Sequence, residues 1–307
     1  MTDPAVTGPA GGPRWAIIVH GGAHQTPPEQ VAASRAGCLA ALGAGRRALE
    51  GGGTAAEAVE AAIRVLEDDP TFNAGYGSAL TADGRVEMDA ALMDGATLAV
   101  GAVAGISGVR HPVSVARRLL REKEVLLTGE GARRFAREHG AELCDPEDLI
   151  SPEQHGAFLD HDTVGCVALD TRGHLAAGTS TGGLTGQPAG RVGDSPLIGC
   201  GFYAEDGVGA VALTGEGESL ARWMTAARIL QRLPGGAPDD ALRGVLEEMG
   251  ARVGGTGGGI ALTPDGQPGW WHTSPDMPTA YQHSDMTSPR TYLTKTEERN
   301  DVHTPHG

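Results

Sequence analysis

Thr163 stands directly before two strand-like segments, residues 164–170 and 174–178, joined by the turn Thr171-Arg172-Gly173. A threonine hydroxyl is a weak nucleophile at neutral pH unless a base sits beside it. The nearest base this chain offers is the threonine's own amine, if the chain ends there. A free α-amine titrates at about 7.7 to 8.0, the range for taking a proton near neutrality. Such chemistry requires cutting the Asp162–Thr163 bond. A second pair lies downstream in Gly190-Arg191-Val192-Gly193-Asp194-Ser195. A fork-shaped cation and an anion in one short loop are able to grip both charged ends of a free amino acid, and the flanking glycines allow close backbone approach to a ligand. Each residue also has a plain structural reading, as a strand threonine or a surface ion pair of little energetic value.

The elements that must hold these residues are partly legible. Residues 16–19 form a short apolar run closed by His20-Gly21-Gly22-Ala23, the signal of a buried strand ending in a turn. Helical spacing follows over residues 30–49. A second helix is predicted to start at Thr54, with Glu57 placed to close a capping box, and to end at Asp68-Asp69-Pro70. Phe72-Asn73-Ala74-Gly75-Tyr76-Gly77 reads as a tight loop, and Asp83-Gly84 as a hairpin turn between residues 79–80 and 85–89. Helices are predicted over 112–121 and 129–139, the second with Arg133, Arg134 and Arg137 on a solvated face. Residues 144–162 are acidic and aperiodic, a linker of the kind where cutting is tolerated. A third strand over 208–213, an amphipathic helix over 218–233 and a glycine-rich turn over 254–259 complete the pattern. Beyond about residue 277 apolar periodicity is lost, which predicts a loosely held tail. Strands on either side of helix pairs, without strict β-α-β alternation, indicate α+β layers.

Composition narrows the function classes. The 307 residues are 40% hydrophobic, enough for a sizeable core, and carry a formal net charge of -15. That charge repels phosphate backbones and anionic membranes, so nucleic acid and membrane are excluded as partners. The apolar run near residue 15 is far short of a membrane span, and a secretory leader is not evident. Four cysteines, Cys38, Cys144, Cys166 and Cys200, lack paired spacing and are expected to be reduced, buried small hydrophobes, fitting a cytoplasmic compartment. The 11 histidines are scattered without metal-ligand spacing, which argues against catalytic zinc.

The blocks His20-Gly21-Gly22-Ala23, Phe72-Asn73-Ala74-Gly75, Asp162-Thr163-Val164-Gly165, and Thr179-Ser180-Thr181-Gly182-Gly183 through Arg191-Val192-Gly193-Asp194-Ser195-Pro196 occur in order over most of the chain. In this the sequence resembles the plant-type asparaginase and isoaspartyl peptidase family of N-terminal nucleophile hydrolases. The resemblance implies a four-layer αββα sandwich, self-cleavage between Asp162 and Thr163, and two subunits, 1–162 and 163–307, of one domain. It makes Thr163 the nucleophile, with Thr181 orienting its hydroxyl and Asn73 close by. Thr214 and Gly215 become the oxyanion hole. Arg191 and Asp194 become the substrate clamp, with Gly217 adding a carbonyl. No cofactor is implied for catalysis, but carbonyls in the loop of Leu66, Glu67, Asp69, Phe72, Ala74 and Tyr76 are implied to hold a structural sodium ion. The family usually pairs two cleaved protomers as (αβ)2.

The activity so implied is hydrolysis of β-aspartyl dipeptides and L-asparagine through a threonyl ester, releasing aspartate. Two departures keep rivals open. His161-Asp162-Thr163 and the run Gly173-His174-Leu175 are similar to the related glycosylasparaginases, which cleave the GlcNAc–Asn bond, and Gln187 stands where relatives often carry lysine. An uncleaved, inactive amino-acid binder would keep Arg191 and Asp194 alone, and a protease acting on protein loops fits a clamp for free α-groups less well.

Overall fold

The computed structural model of the protein describes residues 14–152 and 163–303. Its first strand, β1 (Ala16–His20), is buried along its whole length, and a strand with no exposed face needs a layer on each side. Two helices follow, α1 (Val31–Glu50) and α2 (Ala55–Asp68). Thr54 caps α2 as expected: its hydroxyl accepts from Glu57 N at 3.1 Å while the Glu57 carboxylate accepts from Thr54 N at 2.9 Å. Ala55, Ala58, Val59, Ala62, Ile63 and Leu66 then recur at helical spacing as one buried stripe.

The chain continues through β2 (Met88–Asp94), β3 (Val100–Ile106), α3 (Pro112–Leu119), β4 (Leu126–Thr128) and α4 (Gly129–Glu138). After residue 162 come β5 (Val164–Leu169), β6 (Leu175–Thr181), β7 (Phe202–Glu205), β8 (Gly209–Gly215), α5 (Gly217–Trp223), α6 (Thr225–Arg232) and α7 (Pro238–Val253). The remainder forms β9 (Gly257–Leu262), β10 (Pro268–His272), β11 (Thr279–His283), β12 (Arg290–Tyr292) and α8 (Lys295–His303). An 8-stranded sheet has the order β12-β11-β1-β5-β6-β2-β3-β4, and a 4-stranded sheet the order β10-β9-β8-β7.

Strand alternation separates the layers. On β5, Val164, Cys166 and Ala168 face α1 and α2, while Val167 and Leu169 face the second sheet. On β8, Ala210 and Ala212 face the first sheet, while Val211 and Leu213 pack against α5, α6 and α7. Val113 and Ala116 of α3 and Ala132 and Ala136 of α4 join the outer helical layer on the large sheet. The architecture is therefore the αββα sandwich that the sequence implied.

Three expectations need correction. Residues 279–303 are not a loose tail: β11 pairs with β1, with Ile18 opposite Tyr281, and Met277 and Ala280 are fully buried. The polar composition there reflects ion pairs in place of an apolar stripe, Arg35 to Glu297 at 2.8 Å, Arg290 to Asp301 at 2.6 Å and Lys295 to Asp239 at 2.7 Å. The single helix expected over 218–233 is two, broken where Met224 adopts a left-handed φ of 51° and points outward; Gly199 and Cys200 carbonyls take the Ala227 and Ala226 amides at the break. The 83–84 turn is present, with Gly84 N donating to Thr81 O, but it closes an isolated Leu80–Val86 bridge, and residues 79–87 form no strand, β2 beginning only at Met88. Within the expected linker, Pro146–Leu149 forms one tight turn anchored by buried Leu149, and residues 153–162 lie outside the described residues. All four cysteines are free, Cys38 and Cys166 buried and Cys144 and Cys200 partly exposed.

Candidate active site

The sandwich brings the ends of several strands together where the two sheets face each other. Thr163 precedes β5 in phase with Val167 and Leu169, so its side chain turns toward the second sheet. Thr181 ends β6 in phase with Leu175 and Ala177, on the same face. Across the gap, Thr214 and Gly215 end β8. Thr163, Thr181, Arg191, Asp194, Gly215 and Gly217, all singled out from sequence, line one narrow cleft.

Thr163 is buried, at 5% exposure, and its Oγ1 lies 3.2 Å from Ser195 Oγ. Thr181 is a step removed: its Oγ1 accepts from Gly183 N at 3.1 Å, fixing the turn that leaves β6. Sequence reasoning used Ser195 only as part of a motif and missed this contact. Ser195 is itself held from behind, its carbonyl accepting from Thr179 Oγ1 at 2.7 Å. His20 closes the other side. It faces Gly165 across the β1–β5 ladder, where any side chain would run into the imidazole ring. Burial pushes the His20 pKa down to about 3, against the opposing pull of the Thr163 backbone, so the ring is neutral.

Of the pair expected to form an amino-acid clamp, Arg191 already has a carboxylate partner. Arg191 donates two hydrogen bonds to Glu218, Nε to Oε1 and Nη2 to Oε2, both at 2.9 Å, and a weaker one at 3.4 Å to Gln187 Oε1. The Gln187 oxygen also accepts from Leu184 N at 2.9 Å, so glutamine ties two walls of the cleft as an acceptor, where lysine would present only donors. Asp194 is 2% exposed, and its Oδ2 has no hydrogen-bond partner among the described residues. Burial raises its pKa to about 7; Arg191 opposes the shift while Asp89 and Glu218 add to it. A Cβ at Gly217 would stand 3.0 Å from both Asp194 Oδ1 and Arg191 Nη2, so a side chain there would fill the space between clamp and helix.

Thr214 Oγ1 accepts from Ala23 N at 3.2 Å, which ties the His20-Gly21-Gly22-Ala23 turn to the end of β8. Thr214 itself is fully buried and is not among the residues that line the cleft. Gly215 follows with φ 133°, packed so closely on Gly257 and Thr256 that no Cβ fits. Gly215 itself lines the cleft.

Asn73 does not line the cleft. Its amide donates to Gly183 O at 2.6 Å and accepts from Ala79 N at 2.8 Å, and its carbonyl takes Gly182 N at 2.8 Å. It thus pins the loop after α2 to the turn that carries Thr181. Glu67 works from beneath: its buried Oε1 accepts from Ser180 Oγ at 2.7 Å and Val113 N at 3.0 Å, while Oε2 lies 3.3 Å from His111 Nδ1. Burial raises the Glu67 pKa. In the loop proposed for sodium, Glu67 O accepts from Tyr76 N at 2.7 Å and Asp69 O from Phe72 N at 3.1 Å. Leu66, Phe72 and Ala74 are buried in the core between α2 and β1. No cluster of three or more His, Cys, Asp or Glu side chains fit to hold a metal occurs among the described residues. Asp162 and His161 lie outside the described residues, and no described helix is long and apolar enough to cross a membrane.

Comparison with known proteins gives the same direction as the geometry. A family model described as asparaginase matches residues 13–162 and 153–291. The isoaspartyl peptidase/L-asparaginase of Xenopus laevis is 41% identical over 266 residues, covering 81% of this chain and 86% of that protein. That of Rattus norvegicus is 39% identical over 306 residues, covering 92% and 91%. The isoaspartyl peptidase of Salmonella typhimurium is 41% identical over 279 residues, covering 81% and 89%.

Proposed function

This chain belongs to the asparaginase family of N-terminal nucleophile hydrolases, and on that premise we propose that it is a self-cleaving amidohydrolase acting on β-aspartyl dipeptides and L-asparagine. The observation that carries the reading is the single cleft shared by Thr163, the Arg191–Asp194 pair and Gly215. Nucleophile, amino-acid clamp and backbone donor come from separate segments, and nothing about core packing requires them to meet.

In this mechanism the substrate α-carboxylate displaces Glu218 from Arg191, and its α-ammonium pairs with the open oxygen of ionised Asp194, helped by the Gly217 carbonyl. The Thr163 amine, exposed by cutting after Asp162, takes the proton from Oγ1 as that oxygen attacks the side-chain amide carbon. Negative charge develops on the amide oxygen, where Thr214 Oγ1 and Gly215 N–H serve as donors. Collapse expels the amine with the transferred proton and leaves a β-aspartyl ester on Thr163. Water, deprotonated by the same amine, then releases aspartate. Ser195 and Thr181 orient the nucleophile, and Asn73 fixes the turn beneath it.

We also propose the division into subunits 1–162 and 163–307, their pairing as (αβ)2, a cytoplasmic setting, and a structural sodium ion on the carbonyls of Leu66, Glu67, Asp69, Phe72, Ala74 and Tyr76. Oxygen-only donors suit such a hard cation, and the hydrogen-bonded Glu67 and Asp69 carbonyls each have a second lone pair.

Intact-mass analysis with amino-terminal sequencing tests the maturation step: a fragment beginning Thr163-Val164-Gly165 is expected. Aspartate release from β-aspartyl-leucine, L-asparagine and GlcNAc-Asn tests the substrate, and activity on GlcNAc-Asn alone would replace this reading with glycosylasparaginase. A stable intact chain that binds aspartate without hydrolysis would make it an amino-acid binder.

A further inference from the structure

We propose that Asp89 is a positioning residue for the amino-acid clamp, a buried carboxylate that fixes the backbone between Arg191 and Asp194 and so sets affinity for the free α-groups of the substrate. The proposal rests on the clamp assignment above.

Asp89 lies on β2 opposite Thr181 of β6, and it points, as Thr181 does, between the sheets. It is 4% exposed, and a carboxylate is retained at such burial only when it is well hydrogen-bonded. Its Oδ1 accepts from Gly105 N at 2.8 Å and its Oδ2 from Gly193 N at 3.2 Å. Gly193 is the residue between Val192 and Asp194, and a Cβ there would meet Arg191 Nη1 at 3.1 Å. One carboxyl group therefore joins the large sheet to the middle of the clamp loop.

The strand is built to allow this. The β2–β3 ladder shifts register between Met88 and Ala90, a bulge of the kind that re-aims side chains beside active sites. Opposite it, Gly105 takes a left-handed φ of 58°, which turns its amide onto Asp89 instead of into the ladder. Glu87, two residues earlier, repeats the device at the surface: its Oε2 accepts from Gly190 N at 2.7 Å. The two carboxylates thus hold the glycines on either side of Arg191. Only Asp89 is buried, so only its bond is shielded from competing water.

Its charge also reaches the substrate site. Burial, the leading cause, pushes the Asp89 pKa up to about 6; Arg191 favours the ionised form, while Glu87 and, by mutual repulsion, Asp194 oppose it. Asp89 in turn raises the pKa of Asp194. Its negative charge lies close enough to Arg191 and Asp194 to affect both clamp partners.

The test is L-aspartate binding by calorimetry between pH 5 and 8 to the whole protein, with kcat and KM for β-aspartyl-leucine measured alongside. In Asp89→Asn one acceptor becomes an NH2 facing an N–H donor, so affinity at pH 8 is expected to weaken on the order of 10-fold or more. KM should rise with kcat near wild type, as for an interaction equal in ground and transition states. With the Asp89 charge gone, the pH midpoint of binding should move lower, which loss of fold alone would not produce. Glu87→Gln should change affinity less than about 3-fold. If wild type binds aspartate and Asp89→Asn binds equally well with the same midpoint, the proposal is overturned. If wild type neither binds nor hydrolyses, it is the clamp reading that fails. Should Asp89→Asn not fold, Asp89→Glu keeps the charge while displacing Gly193: weaker binding at an unshifted midpoint supports the proposal, and unchanged affinity overturns it.

Discussion

Ser195 Oγ lies 3.2 Å from Thr163 Oγ1, within hydrogen-bonding distance. The serine is 1% exposed and its own backbone is held by Thr179, so the pair keeps a fixed geometry. Ser195→Ala should leave the fold intact and lower kcat on β-aspartyl-leucine on the order of 10-fold, the scale of one lost neutral hydrogen bond in a buried site. Steady-state kinetics on matured protein checks it, and an unchanged kcat would make the contact incidental.

Thr163→Ala should stop both maturation and turnover, because the proposed mechanism uses one hydroxyl for both steps. Mass analysis after prolonged incubation should show a single chain of 31.4 kDa. Two fragments from this variant would assign self-cleavage to another group.

Arg191→Ala should mature normally but bind substrate poorly. The guanidinium makes two charge-assisted bonds to Glu218, which in the proposed mechanism the substrate carboxylate takes over, so KM is expected to rise on the order of 100-fold. Loss of maturation in this variant would show that the clamp also shapes the uncut precursor.

Acidification should pull stability and binding in opposite directions. Asp194 in the fold titrates near 7, above its ordinary range, because burial penalises its charge. Between the unfolded and folded values the native state holds the extra proton, so this group's stabilising contribution is full below the unfolded value and is lost as pH rises through about 7. Binding needs the ionised form, so aspartate affinity should fall as pH drops below about 7. Thermal unfolding and calorimetry over pH 5 to 8 measure the two trends, and parallel trends would remove Asp194 from both.

Ending the chain at residue 277 should abolish cooperative thermal unfolding. The cut removes β11 from the edge of β1 and uncovers Met277, which is fully buried. Circular dichroism on the truncated protein decides this; a sharp transition near the wild-type temperature would mean that β11 and α8 are accessory.

How much of this was legible in the sequence depends on the scale over which the signal acts. The capping box at Thr54 and the alternation along β5 and β6 are local, and they appear where the spacing indicated. The sites at Thr163, Arg191 and Asp194 sit in glycine-marked motifs and converge in one cleft. The partners Ser195 and Asp89 escaped notice because their contacts span 32 and 104 positions of chain, and a buried aspartate reads locally as any polar strand residue. β11, β12 and α8 were lost for a related reason: they are fixed by ladder pairing and ion pairs, and their own residues show little apolar rhythm. The 218–233 helix failed through an opposite error, since a continuous apolar pattern gives no warning that Met224 turns left-handed.

The order of the large sheet has a consequence for a chain cut at Thr163. Read as fragment membership, β12-β11-β1-β5-β6-β2-β3-β4 places β1 between two strands of the later piece and joins β6 to β2 of the earlier one. The pieces interdigitate, so neither owns a complete hydrophobic layer. Before the cut, refolding is a unimolecular reaction; after it, two chains must find each other, and recovery from unfolding becomes second order in protein. A heated mature sample should regain its structure more slowly and less completely the more it is diluted, whereas the Thr163→Ala precursor should refold at a rate independent of concentration.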